Sequence, residues 1–156
     1  MSYRTLRLWV NDMARTRIHH FEGFSVKRAG IDIELDMSRV ENNFNKAQYD
    51  LDFAVMTSMV PFMPHRDGSF IDRTRLESAA VAGTGKVYAA VGPQGRYLYQ
   101  GELMVDPVTR SSWARKGAKK VLAGKRLKSK AKWFDSAKSA DASNWVRVVK
   151  NIAGGG

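Results

Sequence analysis

The residues of this chain whose types and spacing could do chemistry fall into four groups. The first is Gly83-Thr84-Gly85-Lys86, where glycine amides and a lysine could cradle a phosphate. The full phosphate-loop pattern also needs a glycine where Ala80 stands and a hydroxyl for magnesium where Val87 stands. It fails twice, so the stretch reads as a tight turn in which glycine supplies positive φ. The second group is Asp32, Glu34 and Asp36, which alternate and so put three carboxylates on one side of an extended segment. Other oxygens would have to converge there to hold a hard cation, and the favoured reading is a solvated acidic face that attracts a basic neighbour. The third is His19, His20 and His65, none with a partner at metal-binding spacing, which read as surface histidines. With no cysteine, no Gly-x-Ser-x-Gly elbow and no carboxylate pair in an apolar setting, the sequence predicts neither catalytic residues nor a cofactor or metal.

The fourth group is basic and aromatic: Trp113, Arg115, Lys116, Lys119, Lys120, Lys125, Arg126, Lys128, Lys130, Lys132 and Trp133. Interleaved cations and rings could follow a phosphate backbone and stack bases. Trp133 and Trp145, however, lie on helical apolar stripes and read as core, and no helix-turn-helix, ribonucleoprotein or finger signature supports sequence readout. Residues 1–106 hold 13 Lys/Arg and 13 Asp/Glu, whereas residues 107–156 hold 13 Lys/Arg against only Asp135 and Asp141. The whole net charge of +11 therefore lies in the last third, which calls for an anionic partner: nucleic acid, an acidic protein surface or a membrane face.

These groups need elements to hold them. With 156 residues, 44% of them hydrophobic and 26% charged, the chain has the length and composition of one folded domain with one modest core. No apolar run approaches the roughly 20 residues of a membrane helix, and Asp12, Arg15 and Arg17 interrupt any export signal. The first 24 residues, with Leu6, Leu8, Trp9, Val10, Met13, Ile18 and Phe21, suggest a short amphipathic helix ending before Gly23, an arm on this domain or on another subunit. Ile31, Ile33, Leu35 and Met37 alternate with the three carboxylates, which predicts a half-buried strand. Ser38 and Glu41 have capping-box spacing, and Val40, Phe44, Ala47, Leu51, Val55 and Met59 then form one stripe of a helix ending at Val60, before Pro61.

Residues 61–68 read as a loop, Ser69 to Val81 as a strand, Gly83-Thr84-Gly85 as a turn and Lys86 to Val91 as a second, antiparallel strand. Arg96 to Gln100 is an aromatic segment open to either assignment, and Leu103-Met104-Val105 is a short strand or part of a loop. Three helices are expected beyond Pro107: Trp113 to Leu122, Ser129 to Lys138, and a last one capped by Asp141 with Trp145, Val148, Val149 and Ile152 on one face. The expected architecture is α+β, a small antiparallel sheet with a long helix and C-terminal helices packed on it. Residues 1–24 form an arm, 25–153 a single domain with its basic region at 110–132, and 154–156 a flexible tail.

Phe53-Ala54-Val55-Met56-Thr57-Ser58-Met59-Val60-Pro61-Phe62-Met63-Pro64, then Asp67-Gly68-Ser69-Phe70, then Gly92-Pro93 to Arg96-Tyr97-Leu98-Tyr99-Gln100-Gly101, and finally Lys132-Trp133-Phe134 with Ala137-Lys138 stand in a distinctive order. In order and spacing they resemble the minor capsid proteins of long-tailed bacteriophages, the neck or tail-completion proteins of the head–tail junction. The resemblance covers roughly residues 26 to 152. Residues 1–24 look like an added arm, Asp67 stands where Thr or Ser is commoner, and the basic run from Lys116 to Lys132 is heavier than usual.

The resemblance implies an α+β protomer with a four-stranded or similar sheet, assembled as a ring about the DNA exit channel, six copies favoured over twelve. It implies a virion protein made in the host bacterial cytoplasm. Its partners would be copies of itself and adjacent neck, portal-side or tail-terminator proteins, with genomic DNA as an added non-specific contact. Phe62 and Met63, framed by two prolines, would form a rigid apolar anchor, with Tyr97, Tyr99, Asp32, Glu34 and Asp36 as further subunit-facing residues. A ring has heterologous interfaces, so the basic third of one subunit would meet the acidic face of the next. That use is favoured over lining the channel, because unpaired lysines bind phosphates while DNA must slide. A basic nucleic-acid-binding module is the alternative.

Overall fold

The computed structural model of the protein describes residues 18–65, 68–102 and 129–154. It is α+β: a two-stranded antiparallel hairpin, β1 (Phe24–Arg28) and β2 (Ile31–Leu35), a long helix α1 (Ser38–Met59), a 3-10 turn (Val60–Phe62), α2 (Ser69–Ala80), a short α3 (Gly95–Gln100) and α4 (Trp133–Ala153). The expected helix Trp113 to Leu122, the segment Leu103-Met104-Val105 and the last two glycines lie outside the described residues.

The hairpin follows from two local facts. Alternation in Ile31–Leu35 meets a matching alternation in Phe24–Arg28, and the Ala29-Gly30 turn has positive φ at both residues (51° and 80°), the geometry whose twist suits paired strands. Gly23 precedes it because a Cβ there would lie 2.5 Å from the Leu35 carbonyl oxygen. The alternation of residues 31–37 thus forms a strand as expected, but all ten strand residues are exposed rather than half-buried. The helices pack chiefly on one another, α1 against α4, and not on the sheet.

In α1 the buried line is Ala47, Asp52, Met56 and Met59, slightly rotated from the expected stripe, whose Val40, Phe44, Leu51 and Val55 are half-buried. The capping box does not form. Ser38 is the first helical residue rather than the cap, and its N–H and Oγ–H donate to the Asp36 carboxylate at 2.8 and 2.9 Å. Glu41 instead accepts from the Phe21 N–H and faces His20 at 3.5 Å. Residues 18–23 form no helix, contrary to expectation, because side chains of α1 satisfy their backbone: Asn45 Oδ1 accepts from Ile18 N and His19 N, and Asn45 Nδ2 donates to His19 O at 2.9 Å.

The strand expected over Ser69 to Val81 is helix α2. Its buried face is Ile71, Thr74 and Ser78, a helical spacing carried mostly by small polar residues and therefore hidden from a count of apolar ones. Their hydroxyls are occupied: Thr74 Oγ1 donates to Phe70 O at 2.8 Å, and Ser78 Oγ pairs with the backbone of Tyr88. The second expected strand, Lys86 to Val91, is irregular for the same reason. Ser78 takes Tyr88 N–H and O, and Trp133 Nε1–H donates to Ala89 O at 2.8 Å, so these backbone groups find side chains instead of a ladder. The expected four-stranded sheet is accordingly a two-stranded one among the described residues.

The two helices expected over Ser129 to Lys138 and beyond Asp141 are one helix, α4, since nothing between Lys138 and Asp141 breaks it and Asp141 sits inside it. Trp133, Ala137 and Trp145 are buried on it, the core positions expected of the two tryptophans. With Met56, Met59, Met63 and Ile71 they form the core. The Trp133 indole is fully buried, with Tyr99 edge-on at 4.9 Å and Phe70 at 5.9 Å. Replacing it by Ala should cost about 3–5 kcal/mol of stability. Trp133→Phe should cost about 1–2 kcal/mol more than its lost packing alone, through the stranded Ala89 carbonyl, both read from urea unfolding.

Candidate functional site

The surface best suited to a partner is one face of the hairpin. The register places Phe24 opposite Leu35, Val26 opposite Ile33 and Arg28 opposite Ile31, so Phe24, Val26, Ile31, Ile33 and Leu35 share one side, with Arg28 at its turn end. They are between 43% and 63% exposed. Burying the remainder of five such side chains is worth about 1 kcal/mol each, a gain that the association of two surfaces largely consumes. Among the sequence-derived candidates only the strand bearing Ile31, Ile33 and Leu35 was in view, and Phe24 and Val26 were missed as its partners because five residues are too few for alternation to stand out.

The three carboxylates part company. Asp32 pairs with Lys27 across the hairpin at 3.0 Å, with both side chains more than half exposed and hence little stabilisation. Glu34 lies on the same face opposite Ser25. Asp36 lies beyond the strand, and its two hydrogen bonds from Ser38, the backbone N–H foremost and the hydroxyl next, hold its carboxyl below the ordinary value of 3.8. Among the described residues no three or more His, Asp or Glu are placed to hold a metal ion.

The proline-framed tip is not exposed. Met63 has no accessible surface, and Phe62 is half-buried against the core. The loop folds back because residues 129–130 clamp it: Lys130 N donates to Phe62 O at 3.1 Å, Ser129 Oγ to Met63 O at 2.9 Å, and Lys130 Nζ stands 5.7 Å from the Phe62 ring centre. Met63 therefore serves the fold and not an outer anchor, a correction to the sequence reading. Tyr99 is likewise packed on Trp133, and burial first, then the Asp135 charge, raises its hydroxyl above the ordinary tyrosine value. Tyr97 is half-buried with the Arg96 guanidinium 5.0 Å from its ring centre. Of the basic candidates only Lys130 and Lys132 are described, and Arg115, Lys116, Lys119, Lys120, Lys125, Arg126 and Lys128 lie outside the described residues.

Gly83-Thr84-Gly85 is a turn, and its amides do bind an anion, one belonging to this chain. Asp52, 5% exposed, accepts from Gly83 N at 2.8 Å and Gly85 N at 3.0 Å through Oδ2, and from Gln48 Nε2 at 2.8 Å through Oδ1. The phosphate reading thus fails in space as in sequence, since the nest of amides is already filled. Gln48 Oε1 in turn lies 3.4 Å from His19 Nε2, so one polar chain joins the N-terminal stretch, α1 and the turn. Asp52 was missed from sequence. Its signal was an acid set between Leu51 and Phe53 on a helix four residues after a glutamine.

Asp52→Ala leaves two glycine amides without their acceptor and should cost about 2–4 kcal/mol in urea unfolding. Asp52→Asn, which keeps an acceptor oxygen, should lose about half of that or less. A second expectation concerns Asp36. Its folded-state pKa is depressed, so its contribution is present above the ordinary value of 3.8 and is lost as the pH falls through the folded value. The stability difference between the wild type and Asp36→Asn should shrink towards zero over that window. Compared with known proteins, the chain matches no family model, no curated protein and no solved structure.

Proposed function

We propose that this chain is a structural virion protein of the phage neck, a subunit of a homomeric ring that joins the DNA-filled capsid and portal to the tail. The observation that carries the reading is the hairpin, whose five large apolar side chains are left uncovered by the described residues, a surface that a lone molecule gains nothing by keeping. The ordered motifs from Phe53 to Lys138 support it, and Arg28, which the register sets opposite Ile31 at the end of the apolar face, supplies a polar edge such as interfaces have. The modest energy of the hairpin face agrees with a ring that closes on a partner ring and is a monomer when purified. The basic last third then faces an acidic surface of a neighbour in preference to DNA. No helix among the described residues is long and apolar enough to cross a membrane.

Electron microscopy of particles made without this protein tests the role. Full heads beside unattached tails are expected, and normally joined particles would overturn it. The surface is tested by Val26→Thr with Ile33→Thr, which removes apolar surface from two directly opposed strand positions yet keeps β-branched side chains and brings no like-charge repulsion. Because both positions are exposed, the double variant should unfold within about 0.5 kcal/mol of the wild type. It should nonetheless reduce joined particles at least about tenfold, the consequence of losing 1.4 kcal/mol or more of assembly energy.

A further inference from the structure

The hairpin has two open edges as well as an uncovered face. In an antiparallel pair, residues alternate between those whose backbone groups bond across the pair and those whose N–H and C=O point away from it. The two-residue turn at Ala29-Gly30 is closed by Arg28 and Ile31, so the pairs bonded inward are Arg28 with Ile31, Val26 with Ile33 and Phe24 with Leu35. The outward-pointing groups therefore belong to Ser25 and Lys27 on the β1 edge and to Asp32 and Glu34 on the β2 edge. Among the described residues none of these groups finds a hydrogen-bond partner. All ten strand residues are exposed, which leaves both edges as templates for a further strand.

The charges select that strand. β1 carries Lys27 and Arg28 and no acid, whereas β2 carries Asp32 and Glu34 and no base. Pairing β1 with β1, or β2 with β2, sets like charges side by side and destabilises the ladder. Pairing β2 of one copy with β1 of the next brings opposite charges together. The antiparallel register that uses every residue of both strands repeats the hairpin's own: Lys27 of one copy opposite Asp32 of the next, Ser25 opposite Glu34 and Val26 opposite Ile33. It bonds the outward groups to one another and continues the apolar face from copy to copy. A slip of two residues keeps the faces aligned but leaves strand ends unpaired. The Lys27 and Asp32 side chains, 77% and 57% exposed, have room to meet a neighbour as well as each other. We propose that copies of this chain associate side by side through these edges, β2 of one against β1 of the next, in one continuous antiparallel sheet. Such an interface is heterologous, and it closes into a ring when the rotation between neighbours does. The inference rests on the self-assembly in the reading above, and not on the neck as its location.

The chain has no cysteine, so single cysteines report the pairing cleanly on the full-length protein. Ser25→Cys and Glu34→Cys, made as separate variants, lie at exposed positions, keep Lys27 and Asp32 in place and cannot form an internal disulfide. Mixed in equal amounts at high concentration and mildly oxidised, they should give the unlike dimer in at least about tenfold excess over either like dimer. Disulfides accumulate from brief encounters, so a protein that is monomeric when purified still reports. The statistical ratio of random encounters, or an excess of a like dimer, would overturn the inference. At about 1 M salt, where charges are screened beyond about 3 Å, the excess should fall several-fold. An excess that salt leaves unchanged would overturn the charge complementarity on which the pairing stands. A ring built through another surface would give random dimers here while particles made without the protein still show unattached tails, so the two readings fail separately.

Discussion

The structure depends on the burial of one indole. Trp133 has no accessible surface, and an N–H taken that far from water must find an acceptor. It finds Ala89 O, while its ring meets Phe70 of α2 and Tyr99 of α3 edge-on. Three segments far apart in sequence are thereby held at one point. The start of α4 is fixed there too: Lys132 is left-handed, with φ 51°, and donates its N–H to Tyr99 O at 2.8 Å. Ser129 and Lys130, just upstream, hold the 62–63 loop against the same core. The apolar contacts and the polar satisfactions are consequently one constraint.

A second feature follows from the first. Irregular backbone in this fold is satisfied by side chains projecting from helices, not by strand partners: Asn45 serves residues 18 and 19, Asp52 serves the 83–85 turn, and Ser78 and Trp133 serve residues 88 and 89. Each such side chain removes the need for a neighbouring strand. The result is a helical core with a hairpin that contributes little to it, which leaves the hairpin's apolar side available to something else.

That division gives the molecule two kinds of surface. The hairpin, joined to the core through residues 36–37 and the glycine at 23, presents apolar side chains outward and an ion pair behind them. The α1–α2 groove is concave and lined mostly by apolar side chains, Phe53, Met56, Leu76, Ala79 and Ala82 among them. Met63, which a linear reading places outside, is a core residue with no surface to give an interface, and Tyr99 is half-buried with its ring edge-on to Trp133.

How much of this was legible depends on whether the information is local. Sequence alone determined the strand at 31–35, because alternation is a two-residue property; the long helix at 38–59, because its stripe runs for six turns and Pro61 ends it; and the burial of Trp133 and Trp145, because both sit on apolar stripes. It also determined that the 83–86 stretch lacks the residues of a phosphate loop. Only the tertiary structure decided that 69–80 is helical, since its buried face is Thr74 and Ser78, whose burial is acceptable once Phe70 O and Tyr88 take their hydroxyls. Only it placed Met63 inside and the hairpin's apolar face outside, because those outcomes turn on which helices pack together. And only it revealed Asp52 as the anchor of the glycine turn: a carboxylate's partners there lie 31 and 33 residues away, and no local pattern encodes a hydrogen bond of that span.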